Sequence, residues 1–408
     1  MREQPQRRRL RERWAPVLLW VAAGCVASLQ AWGGLRRPFV DRLSDLQVYL
    51  GSVRQLHDGG SLYDFAAAAT GAPFTYPPFA GLVFSPLVLV PFQVVAVAWS
   101  AATIAVVALL AVAVVRRSEL RGGPADRWLP AGLALALFAS APLSSNLRFG
   151  QISVFLIALI LVDALRLVPD RFVGVATGVA AAVKLTPLIF VPYLWFSGQR
   201  RAAVTATGTF LGCSAAAWLV LPGDSVRFWF TELLNVNRVG NIHTGGNQSL
   251  NGALLRWDVP DRARSVLVAL VGGAVVVMAL VRAVRAVRND RPLAAAVIVG
   301  AAGLVFSPVS WTHHQVWLVL AAVVAVGVGR RAVVGWAAFV LAVMVLPVTS
   351  VGATLPGGEI TGNARLWLAI AVAAAVPFVA VRRESGPRVA SGGPARSDVD
   401  LATRDGAD

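Results

Sequence analysis

Charge is scarce in this chain. Only 14% of its 408 residues are Asp, Glu, Lys or Arg, against about a quarter in a soluble domain. A water-bathed surface over the whole molecule is therefore excluded. Cysteine is nearly absent. Cys25 and Cys213 both lie in apolar runs, where cysteine behaves as a small hydrophobe. No disulfide framework and no cysteine-based metal site is supported. Lysine occurs once, at Lys184, beside 36 arginines. With so much Ala, Val and Gly, that skew reads as a GC-rich genome rather than a function. The net charge of +16 would suit nucleic acid in a soluble protein. In an apolar chain, arginine on the cytoplasmic side accounts for it, and no nucleic-acid partner is expected.

Apolar residues are abundant: 57% of the chain, with a mean hydropathy of +0.66. Long apolar runs recur from Trp14 to Val381, and a bilayer core needs about 20 such residues per helix. The expected fold class is an all-α polytopic membrane protein. Twelve spans are expected, near 14–35, 93–115, 128–145, 151–166, 172–184, 186–197, 202–221, 265–281, 292–307, 315–329, 332–351 and 366–381. The start has the order of a secretory leader, basic then apolar. Its apolar run is long and many spans follow, so an uncleaved first helix is expected. The segment YPPFAGLVFSPLVLVPF (76–92) is apolar but carries Pro77, Pro78, Pro86 and Pro91. Proline lacks the N–H that a helix interior needs, so this segment reads as a helix lying along or dipping into the membrane face.

Arginine sets the expected orientation. With the N-terminus inside, the inner segments hold 25 of the 37 basic residues. Counting 76–92 as a span would move the Arg116–Arg127 and Arg282–Arg291 loops outside, against the positive-inside bias. The reading is then a cytoplasmic basic tail (1–13), a transmembrane domain (14–381) with long outer loops 36–92 and 222–264, and a disordered cytoplasmic tail (382–408). The long first outer loop is expected to contain interfacial helices.

Polar residues collect on the outer side. All four histidines fall there, as do Asp45, NLRFGQIS (146–153), VKLTP (183–187), GGNQSLNG (245–252) and SPVSWTHHQVW (307–317). That pattern suits a membrane enzyme with an extracytoplasmic site. It suits a transporter less well, since transporters bind near the midplane with broken helices and intramembrane charge. Asp45 opens an amphipathic stretch in which Leu46, Tyr49, Leu50, Val53 and Leu56 recur near helical period. It reads as a general base or, equally, as a helix N-cap. His313 and His314 read as phosphate or sugar contacts, or as interfacial polar residues beside Trp311 and Trp317. Adjacent histidines chelate poorly on a helix, so no metal is implied. Lys184 reads as a phosphate contact or as a side chain snorkelling to the interface. Asn146, Gln151, Asn247 and Gln248 offer amide donors and acceptors.

Taken together, DLQVYL, GGSLYDF, FTYPPFAGLVFSPL, FGQISVFLIAL, AAVKLTPLIFVPYL, GNQSLNGALLR and SPVSWTHHQVW resemble the actinobacterial polyprenol-phosphate-mannose-dependent α-mannosyltransferases. These form glycosyltransferase family 87 of the GT-C superfamily. The resemblance covers roughly residues 40–320. It implies a GT-C-type fold in the plasma membrane, multi-pass, with the active site extracytoplasmic. The implied donor is polyprenyl-phosphate-mannose, and the acceptor a hydroxyl of a cell-envelope glycolipid or glycan. The family's catalytic Asp in a D-L-x-V-Y motif corresponds to Asp45. A β-linked donor giving an α product, here an α-(1,2) linkage, means inversion by one displacement, for which one carboxylate base suffices. Lys184, His313, His314, Arg148, Gln151 and Tyr76 are then candidates for donor phosphate or sugar, and Asn247, Gln248 and Tyr49 for acceptor or sugar. No cofactor or metal is implied. Arabinofuranosyl transfer on the same scaffold, and a lipid-linked-sugar flippase, are the alternatives.

Overall fold

The computed structural model describes residues 4–378 except 69, 119, 121–123, 236–239 and 328. Among the described residues the chain is helical, with only two isolated β-bridges, Ala66–Pro73 and Val326–Phe378. The helices in order are α1 (Gln4–Leu35), α2 (Ser44–His57), α3 (Pro78–Phe84), α4 (Phe92–Arg117), α5 (Leu129–Ala139), α6 (Ala141–Phe149), α7 (Ser153–Ala164), α8 (Val175–Val183), α9 (Phe190–Phe196) and α10 (Arg200–Val220). They continue with α11 (Pro222–Phe230), α12 (Leu250–Arg256), α13 (Asp261–Leu267), α14 (Gly273–Arg288), α15 (Pro292–Phe306), α16 (Val316–Leu320), α17 (Arg330–Val345), α18 (Val348–Gly352), α19 (Gly358–Thr361) and α20 (Ala364–Ile370).

Four of these units are long and apolar enough to cross a membrane: Trp14–Leu35, Phe92–Arg117, Arg200–Val220 and Asp261–Arg288. The last joins α13 to α14 through one π-turn, Val268–Gly272. A fifth unit, α6 with α7, is bent by 119°. Six further apolar helices run only 10–17 residues, about 15–25 Å at 1.5 Å per residue, short of a bilayer core of about 30 Å. The expected apolar segments therefore fold as helices, but among the described residues only four, or five with the bent pair, have the length of a full span. The expected span 128–145 is cut at Ser140, whose backbone is extended (ψ 150°) and which precedes Pro142 in the first turn of α6. The expected span 151–166 starts only at Ser153, after the bend. The 76–92 segment forms α3 followed by a 3₁₀ turn, Ser85–Leu89. Helix α2 is the main helix of the first long loop. The 382–408 tail lies outside the described residues, and α1 continues back through the basic start as far as Gln4.

Burial separates the helices that face protein from those that face lipid. Twelve of the fifteen residues of α15 are buried, and so is all of α16. By contrast α10 buries only Ala202, Ala203, Ala206 and Ala217, and its Val204, Leu211, Trp218, Leu219 and Val220 are exposed. An apolar surface of that kind needs lipid or a partner against it. Where α10 does pack, it meets α8 through small residues. A Cβ on Gly178 would stand 2.5 Å from the Ala206 carbonyl oxygen. Small residues let helix backbones approach closely where no hydrophobic effect drives them together. This contact holds α8 against α10, and Lys184 follows the C-terminal end of α8.

Candidate active site

The site grows from the entry into α2. The N-cap of α2 is Leu43, in the left-handed region (φ 44°), and no side chain caps the helix. Asp45 is therefore not the N-cap. Its side chain turns sideways, and Oδ2 accepts a hydrogen bond from Nε2 of Gln151. Gln151 can reach it because of Gly150. That glycine closes α6 at φ 67° and lies so close to α2 that a Cβ there would sit 2.9 Å from Leu46 Cβ and 3.0 Å from Leu43 Cβ. A side chain at 150 would be both strained and blocked.

One turn after Asp45 comes Tyr49, 1% exposed. Its ring stacks on Phe84 (4.7 Å, 4°) and meets the Tyr76 ring edge-on (5.1 Å, 83°). The two phenol oxygens are 2.9 Å apart, and Tyr49 donates to Oε1 of Gln151 at 3.1 Å. Tyr63 donates to the Tyr76 backbone carbonyl at 2.9 Å, which pins that strand of loop in place. Opposite, Nζ of Lys184 lies 5.0 Å above the Tyr76 ring and 2.9 Å from Nε2 of His314. The His313 and His314 rings meet edge-on at 4.5 Å, and Nδ1 of His313 is 3.4 Å from Oγ of Ser145.

Asp45, Tyr49, Tyr76, Gln151, Lys184, His313 and His314 all line one cavity of about 640 Å³. Five separate stretches of chain thus bring their polar side chains to one place. A second, narrow cavity of about 60 Å³ opens beside it and shares Lys184, Thr186, Ser307 and His314. Its remaining wall is mostly apolar and includes Leu156, Ile160, Phe190 and Trp317.

The electrostatics follow from burial. The Asp45 carboxyl is pushed up from 3.8 to about 6 by burial, against the opposing pull of the Gln151 hydrogen bond and the Lys184 charge. Both histidines are held well below their ordinary value, first by burial and then by the Lys184 charge. They are neutral imidazoles near pH 7. The other carboxylate on the cavity wall, Glu232, pairs with Arg227 at 2.7 Å.

Other candidates lie elsewhere. Arg148 is exposed and its guanidinium rests over the Phe149 ring at 5.0 Å, outside the cavity wall. Asn247 and Gln248 are buried and spend their amides on the protein. Oδ1 of Asn247 accepts from Ser310 N–H at 2.9 Å and from Ser249 Oγ at 3.0 Å. Nε2 of Gln248 donates to the carbonyls of Gly245 and Gly362 at 2.8 and 3.0 Å. These amides shape the loop whose Thr244 and Gly246 line the cavity. Ser145, Phe149 and Phe228, also in the wall, carry no signal in the sequence that separates them from core residues.

The sequence model described as Glycosyltransferase family 87 matches residues 74–308, more than half of the chain. The chain belongs to glycosyltransferase family 87. The matched span holds Tyr76, Gln151 and Lys184, with Asp45, Tyr49 and the two histidines outside it. A polyprenol-phosphate-mannose-dependent alpha-(1-2)-phosphatidylinositol pentamannoside mannosyltransferase of Mycolicibacterium smegmatis is 39% identical over 327 residues, 78% of this chain and 76% of that protein. A protein of the same description from Mycobacterium tuberculosis is 38% identical, over 76% of this chain and 71% of its own. A polyprenol-phosphate-mannose-dependent alpha-(1-2)-phosphatidylinositol mannoside mannosyltransferase of Mycobacterium tuberculosis is 33% identical, over 78% and 76%. As a member of this family the chain is a membrane-embedded, multi-pass glycosyltransferase.

Proposed function

We propose that this glycosyltransferase moves mannose from polyprenyl-phosphate-mannose to a hydroxyl of a phosphatidylinositol mannoside. The transfer would form an α-(1,2) linkage on the extracytoplasmic face of the plasma membrane. The descriptions of the relatives support the donor, acceptor and linkage. The arginine distribution supports the side of the membrane.

One observation carries the chemistry. Of the two carboxylates on the cavity wall, Glu232 is tied to Arg227, and Asp45 alone is left to face Lys184 and the imidazoles across the cavity. The reaction reads as one displacement with inversion. The acceptor oxygen attacks the anomeric carbon of a β-linked donor and the carbon–phosphate-oxygen bond breaks. Its electron pair leaves on polyprenyl phosphate, and the acceptor proton passes to Asp45. A carboxylate near 6 is well matched to that task, because a base works best with a pKa close to the working pH. The Lys184 ammonium, and an N–H of His313, whose Nε2 has no hydrogen-bond partner among the described residues, would meet the charge that gathers on the leaving phosphate. The narrow apolar slot beside Lys184 and His314 would take the first isoprene unit, which stays bonded to the phosphate throughout.

The test is mannosyl transfer from radiolabelled donor in membranes, wild type against Asp45→Asn at equal expression. Loss of transfer with an intact protein supports the reading, and full activity in the variant rejects it. Offering polyprenyl-phosphate-arabinose in the same assay decides the sugar.

A further inference from the structure

We propose that Gln151 is a positioning residue for the proton transfer: its amide N–H holds Oδ2 of Asp45, so that Oδ1 alone is offered to the acceptor hydroxyl. The inference rests on the reading of Asp45 as base and goes beyond it, since it says how that base is aimed.

The argument is geometric. Gln151 sits in the bend between α6 and α7, where its backbone N–H donates to the Asn146 carbonyl at 3.0 Å. Its side chain is 5% exposed. The amide has two ends and both are committed. Oε1 accepts from Tyr49 at 3.1 Å, with the hydroxyls of Tyr76 and Ser153 each at 3.5 Å. Nε2 points at Oδ2 of Asp45. A flipped amide would set its carbonyl oxygen against the ionised carboxylate and take the acceptor away from the Tyr49 hydroxyl. The orientation is therefore fixed from both sides. Among the described residues no hydrogen bond reaches Oδ1 of Asp45. Gly150, too close to Leu43 and Leu46 to bear a side chain, lets the bend approach α2 closely enough for the amide to reach the carboxylate.

The remaining groups around Asp45 do not duplicate this role. Tyr49 on α2 and Tyr76 before α3 are phenols that point to each other and to Oε1. Lys184 after α8 pairs with His314, His313 turns to Ser145, and Glu232 pairs with Arg227. Among the described residues only Gln151 donates to the carboxylate. A hydrogen bond to the charged form favours that form. Removing it must leave the carboxylate both harder to ionise and free to rotate.

The test uses the full-length enzyme and measures kcat, both KM values and the pH profile of transfer. Gln151→Met keeps the volume and loses the amide. The expected result is a fall in kcat of about 10–100-fold, the scale of a hydrogen bond to a charged group, with both KM values within about threefold. The acid limb of the profile should move up by about one pH unit. Gln151→Glu should move the limb further, because two carboxylates would share one site. Tyr49→Phe, which releases the far end of the amide, should fall between wild type and Gln151→Met. A lowered rate with an unmoved acid limb in both Gln151 variants would make Gln151 a packing residue and overturn the proposal. A raised donor KM with unchanged kcat would make it a substrate contact and overturn it too. If Gln151→Met fails to fold, Gln151→Glu and Tyr49→Phe give the same reading. Activity in Asp45→Asn would instead defeat the base assignment itself, so the two failures are distinct.

Discussion

The single lysine of the chain lies 2.9 Å from a histidine: Nζ of Lys184 against Nε2 of His314. The pair stands across the cavity from Asp45 and at the mouth of the apolar slot. If Lys184 meets the departing phosphate, Lys184→Met should lower kcat/KM by about 10²–10³, the cost of losing one preorganised charge contact. Lys184→Arg should restore only part of it, since a planar guanidinium does not replace a compact ammonium wedged over the Tyr76 ring. Steady-state kinetics with varied donor would check both.

Asp45→Asn separates chemistry from stability. Transfer should fall about 10²–10⁴-fold, the usual contribution of a general base. Stability should move the other way. The folded-state value near 6 lies above the ordinary 3.8, so in that interval the native state holds the proton more tightly than the unfolded chain. Stability then declines as pH rises through the interval, and the penalty is complete above it. Asn carries no such penalty. At pH 7.5 the variant in detergent should melt at or above the wild-type temperature, by an amount worth at most about 3 kcal/mol.

The pH profile of the wild-type enzyme should carry one acid limb. Asp45 must be ionised to accept a proton, so kcat/KM should fall about tenfold per pH unit below about 6. Burial and the Lys184 charge hold His313 and His314 well below their ordinary value, so the limb near 6 is assigned to Asp45. The limb should therefore follow a single proton. A profile of transfer at saturating and at limiting acceptor would show whether a second group titrates.

Gly150→Ala should hurt activity more than stability. The added methyl group meets Leu43 and Leu46 at about 3 Å in a left-handed backbone, a strain of about 1–3 kcal/mol. The relief open to the chain is to move the bend away from α2, and Gln151 moves with it. Transfer should fall at least tenfold while the protein still inserts and melts cooperatively.

Filling the narrow slot should discriminate donors by their tails. Gly303→Leu places a branched side chain toward Ile189, which a Cβ there already touches at 3.6 Å, in a cavity of about 60 Å³. The KM for a full-length polyprenyl donor should rise severalfold, with little change for a mannosyl phosphate bearing a short alkyl chain. Equal effects on both donors would remove the isoprene assignment.

The sequence showed much of the site and less of its surroundings. Asp45, Lys184 and the histidines stand out because charge and imidazole are rare in so apolar a chain, and the structure sets them around one cavity. Asn247 and Gln248 stand out for the same reason, yet they hold their own loop. An amide that binds a backbone carbonyl and one that binds a sugar hydroxyl leave the same letter in the sequence. Asp45 could be read equally as a helix cap. Only the left-handed Leu43 ahead of it, a conformation rare for leucine and with no sequence signature, shows that it is not. Hydropathy located the apolar segments but not their lengths. A window over 128–166 averages across Ser140 and Gly150, where the chain turns.

That 119° turn at Gly150–Ile152 has an electrical consequence. A helix crossing without interruption would leave its positive pole out at the water interface. Here α7 begins at Ser153 instead, so its aligned peptide dipoles place about half a positive unit charge at the wall of the narrow cavity. That charge belongs to the backbone. Neither a change of acidity nor a change of side chain removes it, so any anionic group that enters there meets one attraction that the protein cannot lose.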